Sequence, residues 1–134
     1  MSANLELVRS IFADWERGDF TSAAWADPEI EYGFPDGPWP VRLTGMAGMA
    51  EGEREFLSAF ENFRIEANEF REIGDERVLV LHHASGRGKR SGLDFAQVST
   101  KGGASLFHLR DGKVTRFVGY FDRERAFADL GLEG

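Results

Sequence analysis

Residues 105–122 read SLFHLRDGKVTRFVGYFD, and this stretch decides the fold. Two runs typical of β-strands flank Asp111-Gly112, which is one of the dipeptides that two-residue hairpin turns prefer. Residues 123–130 follow at once with a helical composition, and Gly131 stands where a helix would end. The pattern predicts an antiparallel hairpin that runs directly into a short C-terminal helix.

The first half of the chain is predicted to be mainly helical. Leu5, Val8, Phe12 and Trp15 recur at intervals of three and four, which is the spacing of one face of an α-helix that ends at Gly18. A second, short helix is predicted over residues 20–26, and a third over residues 46–62. In the third helix the apolar residues are expected to face the core and the acidic ones, Glu53 among them, to face solvent.

The remaining segments read as strands. A short strand is predicted at residues 30–34, before a proline-rich loop, and four more are predicted at residues 63–73, 78–85, 95–110 and 114–121. The long one is expected to break or bulge at Gly102-Gly103. Helices followed by antiparallel strands indicate the α+β class, and 134 residues suit a single domain, residues 1–134.

Composition narrows the function classes. The net charge is −7, from 16 basic and 23 acidic residues, which argues against a general nucleic-acid or anionic-membrane binder. There is no cysteine, no apolar run near the about 20 residues of a membrane span, and no signal-peptide pattern at Met1, so a cytoplasmic protein is expected. Twelve Phe and three Trp favour a wide interior or an apolar pocket.

Four segments together resemble the SnoaL-like group of the NTF2-like superfamily. They are WERGDF at 15–20, WADPEIE at 25–31, GDERVLV at 74–80, and residues 109–122. The resemblance implies a cone, in which a curved, mixed and largely antiparallel sheet wraps around three N-terminal helices and a short C-terminal helix follows. It also implies an apolar cavity and a homodimer formed through the outer sheet face.

The catalytic groups of three well-known relatives do not carry over to this chain. Aligned with ketosteroid isomerase, the tyrosine position falls on Ile11, the base on Tyr32 or Phe34, and the protonated aspartate near Ser105. No Arg-x-Asp of the limonene-epoxide hydrolase kind lies on a predicted strand. Ser105 also occupies the region of the polyketide cyclases' inward aspartate. Steroid isomerisation, epoxide hydrolysis and cyclisation by these groups are therefore disfavoured.

The same alignment suggests three catalytic candidates. It places Leu79, Leu81 and His83 on the cavity face, which would make His83 the proton carrier. Tyr32 and Ser105 would hold a ligand oxygen as hydrogen-bond donors. A one-residue slip would exchange His83 for His82, so both are kept in view. The alternative is a structural histidine that satisfies a neighbouring group.

A ligand-binding wall of aromatic residues is also predicted, with Gly119 leaving space on it. The wall consists of Phe12, Trp15, Trp39, Phe60, Phe107, Phe117 and Phe121. Simple core packing is the alternative for each ring. No metal or cofactor is expected, since cysteine is absent and the predicted facings of the three histidines diverge.

Together these features predict a protein that binds a small apolar organic ligand. As an enzyme it would be a cofactor-independent isomerase, cyclase, dehydratase or hydrolase. The alternative is a non-catalytic ligand-binding or dimerisation module. The predicted homodimer would cover the outer sheet face, where we expect Val78, Val80, Leu106, Val118 and Tyr120.

Overall fold

The computed structural model describes residues 2–20, 24–35, 41–58, 60–88 and 102–132. The helices in these ranges are α1 (Ala3–Glu16), α2 (Gly45–Ser58) and α3 (Arg123–Leu130). The strands are β1 (Ala26–Phe34), β2 (Val41–Thr44), β3 (Phe60–Ile73), β4 (Arg77–Gly88), β5 (Gly103–Arg110) and β6 (Lys113–Tyr120). None of the helices described is both long and apolar enough to span a membrane.

The six described strands form one mixed sheet in the order β2-β1-β6-β5-β4-β3. Every neighbouring pair is antiparallel except β1 and β6, which are parallel. Helices α1 and α2 pack against one face of the sheet, here called the inner face, and α3 packs against the other, the outer face. The predicted α+β class is confirmed.

The C-terminal third folds as the sequence predicts. Asp111 and Gly112 both have positive φ angles, 52° and 75°, as a two-residue type I′ turn requires. The Asp122 carboxylate accepts a hydrogen bond from the Glu124 backbone N–H at 2.9 Å and caps α3. Gly131 ends that helix in the left-handed conformation.

The N-terminal half departs from the prediction in two places. Ala24 and Trp25 form a turn and Ala26 begins β1, so the helix predicted over residues 20–26 is wrong at its end; residues 21–23 lie outside the described ranges. The tertiary reason is the pairing with β6, in which the Val114 N–H donates to the Trp25 carbonyl at 2.8 Å. Pro28 is tolerated because it lies where the β1–β6 register shifts.

The second departure concerns the loop before α2 and the end of α2. Strand β2, which pairs with β1, was not predicted, and α2 ends at Ser58 instead of residue 62 because β3 begins at Phe60. Asp36 and Trp39 lie outside the described residues.

The main core lies between α1 and the inner face. The predicted stripe of α1 is buried there, with Val8 and Phe12 fully inaccessible to solvent. The Trp15 ring lies 5.7 Å from Phe117 and 6.0 Å from Phe107, centroid to centroid. These contacts tie the first helix to the C-terminal hairpin.

The outer face is covered by the chain's own C-terminal helix. Leu79, Leu81 and Leu106 are buried against Ala126 and Phe127 of α3. Val118 and Tyr120 lie in the same cluster, as predicted, and the Tyr120 hydroxyl donates to Asp129 Oδ2 at 3.0 Å.

The predicted outward facing of Val78 and Val80 is wrong. Both belong to the inner core, because residues directly opposite each other on antiparallel strands share a face and Val78 lies opposite inward Phe107. The outer-face residues named for the homodimer are buried within one chain, so the exposure on which that prediction was based is not seen in this part of the sheet. The homodimer stays a prediction.

The same glycine-to-alanine change should have opposite effects in the hairpin turn and in α2. Gly112→Ala places a Cβ on a residue with φ of 75°, and we expect it to lower the free energy of unfolding by about 1 kcal/mol. Gly48→Ala adds a Cβ that meets Leu43 at an ordinary 3.4 Å inside a helix, and we expect a gain of about 0.5–1 kcal/mol. Urea denaturation measures both, and equal effects would contradict the predicted turn geometry.

Candidate functional site

A cavity opens between the two inner helices and the inner face of the sheet. The space in which the centre of a water molecule fits is about 60 Å³, and all the empty space, with the open mouth included, is about 570 Å³. The lining residues are Trp15, Phe20, Tyr32, Phe34, Glu53, Leu57, Phe63, Ile65, His82, Ala84, Ser105, Phe117, Gly119, Tyr120 and Phe121. The lining is predominantly apolar and aromatic, with few polar groups, as in many small-molecule sites.

Aromatic rings hold one another in place along the wall. Tyr32 stacks on Phe117 with centroids 5.2 Å apart, and Phe34 stands nearly perpendicular to Tyr32 at 5.4 Å. A Cβ on Gly119 would lie 2.4 Å from the Phe34 ring. Gly119 therefore makes room for Phe34, and the open space predicted beside it is filled by that ring.

His82 and Ser105 form a buried pair on the cavity side of β4 and β5. Ser105 Oγ lies 3.2 Å from His82 Nδ1, and which atom donates depends on the imidazole tautomer. A Cβ on Gly103 would lie 2.8 Å from His82 Nε2, so glycine at that position makes space for the imidazole. The Arg123 guanidinium donates to the His82 carbonyl at 3.0 Å from the outer side.

Burial keeps the imidazole of His82 neutral. Desolvation lowers its pKa to about 3, and the charges of Arg123 and His83 add to the effect. At neutral pH this side chain can accept or donate a hydrogen bond, but it is a weak proton acceptor. It is therefore poorly suited to act as a general base, which works best with a pKa near the operating pH.

His83 lies on the opposite face of β4, so its predicted inward facing is wrong. Its side chain is exposed, and its Nδ1 contacts the Asn68 side-chain oxygen. The error is the one-residue slip that exchanges the two histidines: Leu79 and Leu81 point outward with His83, whereas Val80 and His82 point inward.

The two predicted hydroxyls do face the cavity. Ser105 is 2 % exposed and Tyr32 is 5 % exposed, and both line the cavity. Burial, and then the nearby Glu53 charge, raises the pKa of Tyr32 well above its ordinary value, so its hydroxyl keeps its proton. Their facing is confirmed, whereas their roles toward a ligand stay predictions.

Glu53 is a lining residue that the sequence analysis had assigned to solvent. Burial raises the pKa of its carboxyl from 4.5 to about 7. Helix α2 packs directly on the strands at Gly52, because a Cβ there would lie 2.4 Å from Leu43 Cδ1 and 3.3 Å from Tyr32 Cε1. This close approach brings the neighbouring Glu53 to the cavity. The available signal was its position four residues after buried Met49, on the same helix stripe.

The predicted aromatic wall is only partly present. Trp15, Phe117 and Phe121 line the cavity. Phe12 and Phe107 are fully buried beneath it in the main core, where they contact each other and Trp15. Phe60 packs beside Phe121 in a separate small cluster. Trp39 lies outside the described residues.

These groups define what the site can do chemically. It offers two hydroxyls, one neutral imidazole and one carboxyl that titrates near neutral pH. Nucleophilic attack by Ser105 is disfavoured because a histidine with a pKa of about 3 would not remove its proton. Within the described ranges no group of three His, Cys, Asp or Glu side chains could hold a metal ion.

The two buried titratable groups should give opposite pH dependences of stability. The raised pKa of Glu53 contributes stability that is complete below about pH 4.5 and is lost as the pH rises through about 7. The lowered pKa of His82 contributes stability that is complete above about pH 6.5 and is lost as the pH falls toward 3. Between these limits the two slopes partly cancel in the native chain.

Replacing Glu53 by Gln should remove the contribution of Glu53 to the pH dependence of stability and leave that of His82. We expect the free energy of unfolding of Glu53→Gln, relative to the unchanged chain, to increase by up to about 3 kcal/mol between pH 5 and pH 8. Urea denaturation at the two pH values measures the difference. Glu55→Gln, an exposed position on the same helix, is the matched control and should show little pH dependence. A flat difference for Glu53→Gln would mean that its carboxyl is solvated.

Solved structures of the same fold cover nearly all of the chain. An NTF2-like protein of unknown function from Burkholderia pseudomallei has 21% sequence identity and a TM-score of 0.73, and the match covers 96% of this chain and 97% of that one. A Bacillus subtilis protein provisionally named an isomerase has 19% identity, a TM-score of 0.70, and coverage of 99% and 98%. A provisionally named polyketide cyclase from Sinorhizobium meliloti has 16% identity, a TM-score of 0.64, and coverage of 89% of this chain and 99% of that one.

At these identities the similarity establishes the fold alone. No curated protein matches the sequence significantly. The family model for the SnoaL-like domain matches residues 8–117, from the first helix into the last strand. The resemblance seen in the sequence is thereby confirmed, and the chain belongs to the SnoaL-like family of NTF2-like proteins.

Proposed function

We propose that the protein binds a small, largely apolar organic molecule in the cavity between α1, α2 and the sheet. The observation that carries this proposal is an aromatic cavity into which Tyr32, Glu53, His82 and Ser105 bring polar groups. Aromatic and aliphatic walls favour an apolar ligand body by removing it from water. A few polar groups then fix its orientation.

The ligand is expected to place a polar atom near the deep end of the cavity. Tyr32 keeps its phenolic proton, and Ser105 can donate when His82 does not engage it, so both can hold a ligand oxygen. Only about 60 Å³ admits a water centre, whereas the mouth adds much more space. A ligand would therefore insert one compact end and leave the rest in the mouth.

As an enzyme, the protein would transfer a proton without a cofactor, as an isomerase, cyclase or dehydratase does. Glu53 replaces His83 as the proposed proton carrier, because a carboxyl with a pKa of about 7 is half ionised at neutral pH. The provisional names of two structural relatives, an isomerase and a polyketide cyclase, support this class. Hydrolysis through Ser105 has the least support because His82 is too weak a base.

The second candidate function is ligand binding without chemistry. The small volume around the polar groups favours it, since most of the interior is filled by rings that pack on one another. The two candidates share the binding step, which can be tested without knowledge of the natural ligand. A substitution that fills the cavity distinguishes binding in the cavity from binding elsewhere on the protein surface.

Phenol and toluene are suitable probes because they differ only by a hydroxyl in place of a methyl group. We expect both to shift the NMR signals of cavity residues, with Trp15 as a reporter. Ser105→Ala should lower the affinity for phenol relative to toluene by about 3- to 10-fold, the usual worth of one hydrogen bond.

The controls concern the place of binding. Ala84→Leu adds a side chain to the cavity lining and should abolish binding of both probes. Ala128→Leu makes the same change at an exposed position on α3 and should leave binding intact. If neither probe binds the native chain, or if Ala84→Leu binds them normally, the proposed site is wrong.

A further inference from the structure

Among the described residues, the Glu53 carboxyl of the cavity has no bonding partner. His82 and Ser105 lie within hydrogen-bond distance of each other. Among the hydrogen bonds and ion pairs of the described residues, none involves the Glu53 side chain, whose charge acts on the Tyr32 phenol. The Glu53 side chain is half-buried, so its carboxylate has lost part of its water without gaining a donor from the described residues.

The partial burial of this carboxyl has an electrostatic consequence. Because burial removes part of the water around the carboxylate, the pKa of Glu53 rises to about 7. A cation or a hydrogen-bond donor brought by a ligand would supply the missing interaction. A charged donor would supply the strongest one, since charge-assisted hydrogen bonds are roughly twice as strong as neutral ones.

The walls around Glu53 suit a cation with carbon substituents. Tyr32 and Phe117 stack nearly parallel and Phe34 stands steeply inclined to both, and all three rings line the cavity together with Glu53. Aromatic faces attract ammonium groups through the negative charge of the ring face. No Lys or Arg of the described residues lines the cavity, and the chain carries a net charge of −7, so no described side chain of the lining would offset the charge of an anion.

We propose that the ligand of this cavity is a small organic cation, a substituted ammonium whose N–H donates to the Glu53 carboxylate while its carbon substituents lie against Tyr32, Phe34 and Phe117. This assignment rests on the proposed function, because it names the chemical class of the molecule that the cavity binds. The ligand supplies the bond that none of the described residues makes to Glu53.

Glu53 is the group expected to change charge near neutral pH when such a ligand binds. On β1, Tyr32 remains protonated because its pKa is raised, and on β4, His82 remains neutral because its pKa is about 3. On α2 itself, Arg54 and Glu55 are exposed to solvent. Binding of a cation below about pH 7 should therefore release a proton from Glu53.

The test uses two probes of the same shape, protonated N,N-dimethylbenzylamine and isobutylbenzene, in NMR titrations of the whole chain. From about pH 6 to about pH 8 the affinity for the amine should rise about tenfold, because Glu53 no longer has to lose a proton. The affinity for isobutylbenzene should not rise. At about pH 8, Glu53→Gln should weaken the amine about tenfold or more and leave isobutylbenzene unchanged or tighter.

Glu55→Gln is the matched control and should bind both probes as the native chain does. If isobutylbenzene binds but the amine shows neither the pH dependence nor the sensitivity to Glu53→Gln, the cation assignment is wrong while the proposed function stands. If neither probe binds the native chain, both are wrong. The pH dependence is measured on the native chain, so the result does not depend on the folding of the variant.

Discussion

The packing of Trp15 against Phe107 and Phe117 is the contact on which the rest of the structure depends. It joins α1 to the β5–β6 hairpin and decides which side of that hairpin becomes the inner face. Because successive residues of a strand point to opposite faces, an inward Phe107 also turns Ser105 inward and Leu106 outward. Residues opposite each other on paired strands share a face, so Val80 of β4, which lies opposite Ser105, also faces inward. His82 stands two residues further along β4 and therefore faces the cavity as well.

One physical cause, removal from water, sets the charge of the cavity. Burial raises the pKa of the acid Glu53 and lowers the pKa of the base His82, so each group is shifted toward its neutral form. At neutral pH the imidazole of His82 is therefore neutral, and the Glu53 carboxyl is about half ionised. A cation in the cavity would favour the ionised carboxylate, which links the electrostatics of the fold to the chemistry of the ligand.

Much of the fold could be read from the sequence, but the cavity only in part. Asp111-Gly112 and Gly131 act through local backbone geometry, and their roles were predicted correctly. Val78 to Leu81 are apolar at every position because β4 is buried on both faces, so no alternation showed which residues face inward. The sequence analysis therefore predicted His83 to face the cavity, whereas the neighbouring His82 does so. Glu53 was assigned to solvent by its charge, although its helical position put it on the buried stripe.

The sequence by itself determined the α+β class and the C-terminal hairpin and helix, because these follow from turn chemistry and from periodicity along short stretches. The inward facing of Tyr32 and Ser105 was implied by the family resemblance, and both residues line the cavity. Only the tertiary structure decided that His82 and not His83 enters the cavity, that α3 covers the outer face, and that Glu53 lines the cavity with no bonding partner among the described residues. Those outcomes depend on strand register and on the close approach of α2 at Gly52, which are contacts between segments far apart in the chain.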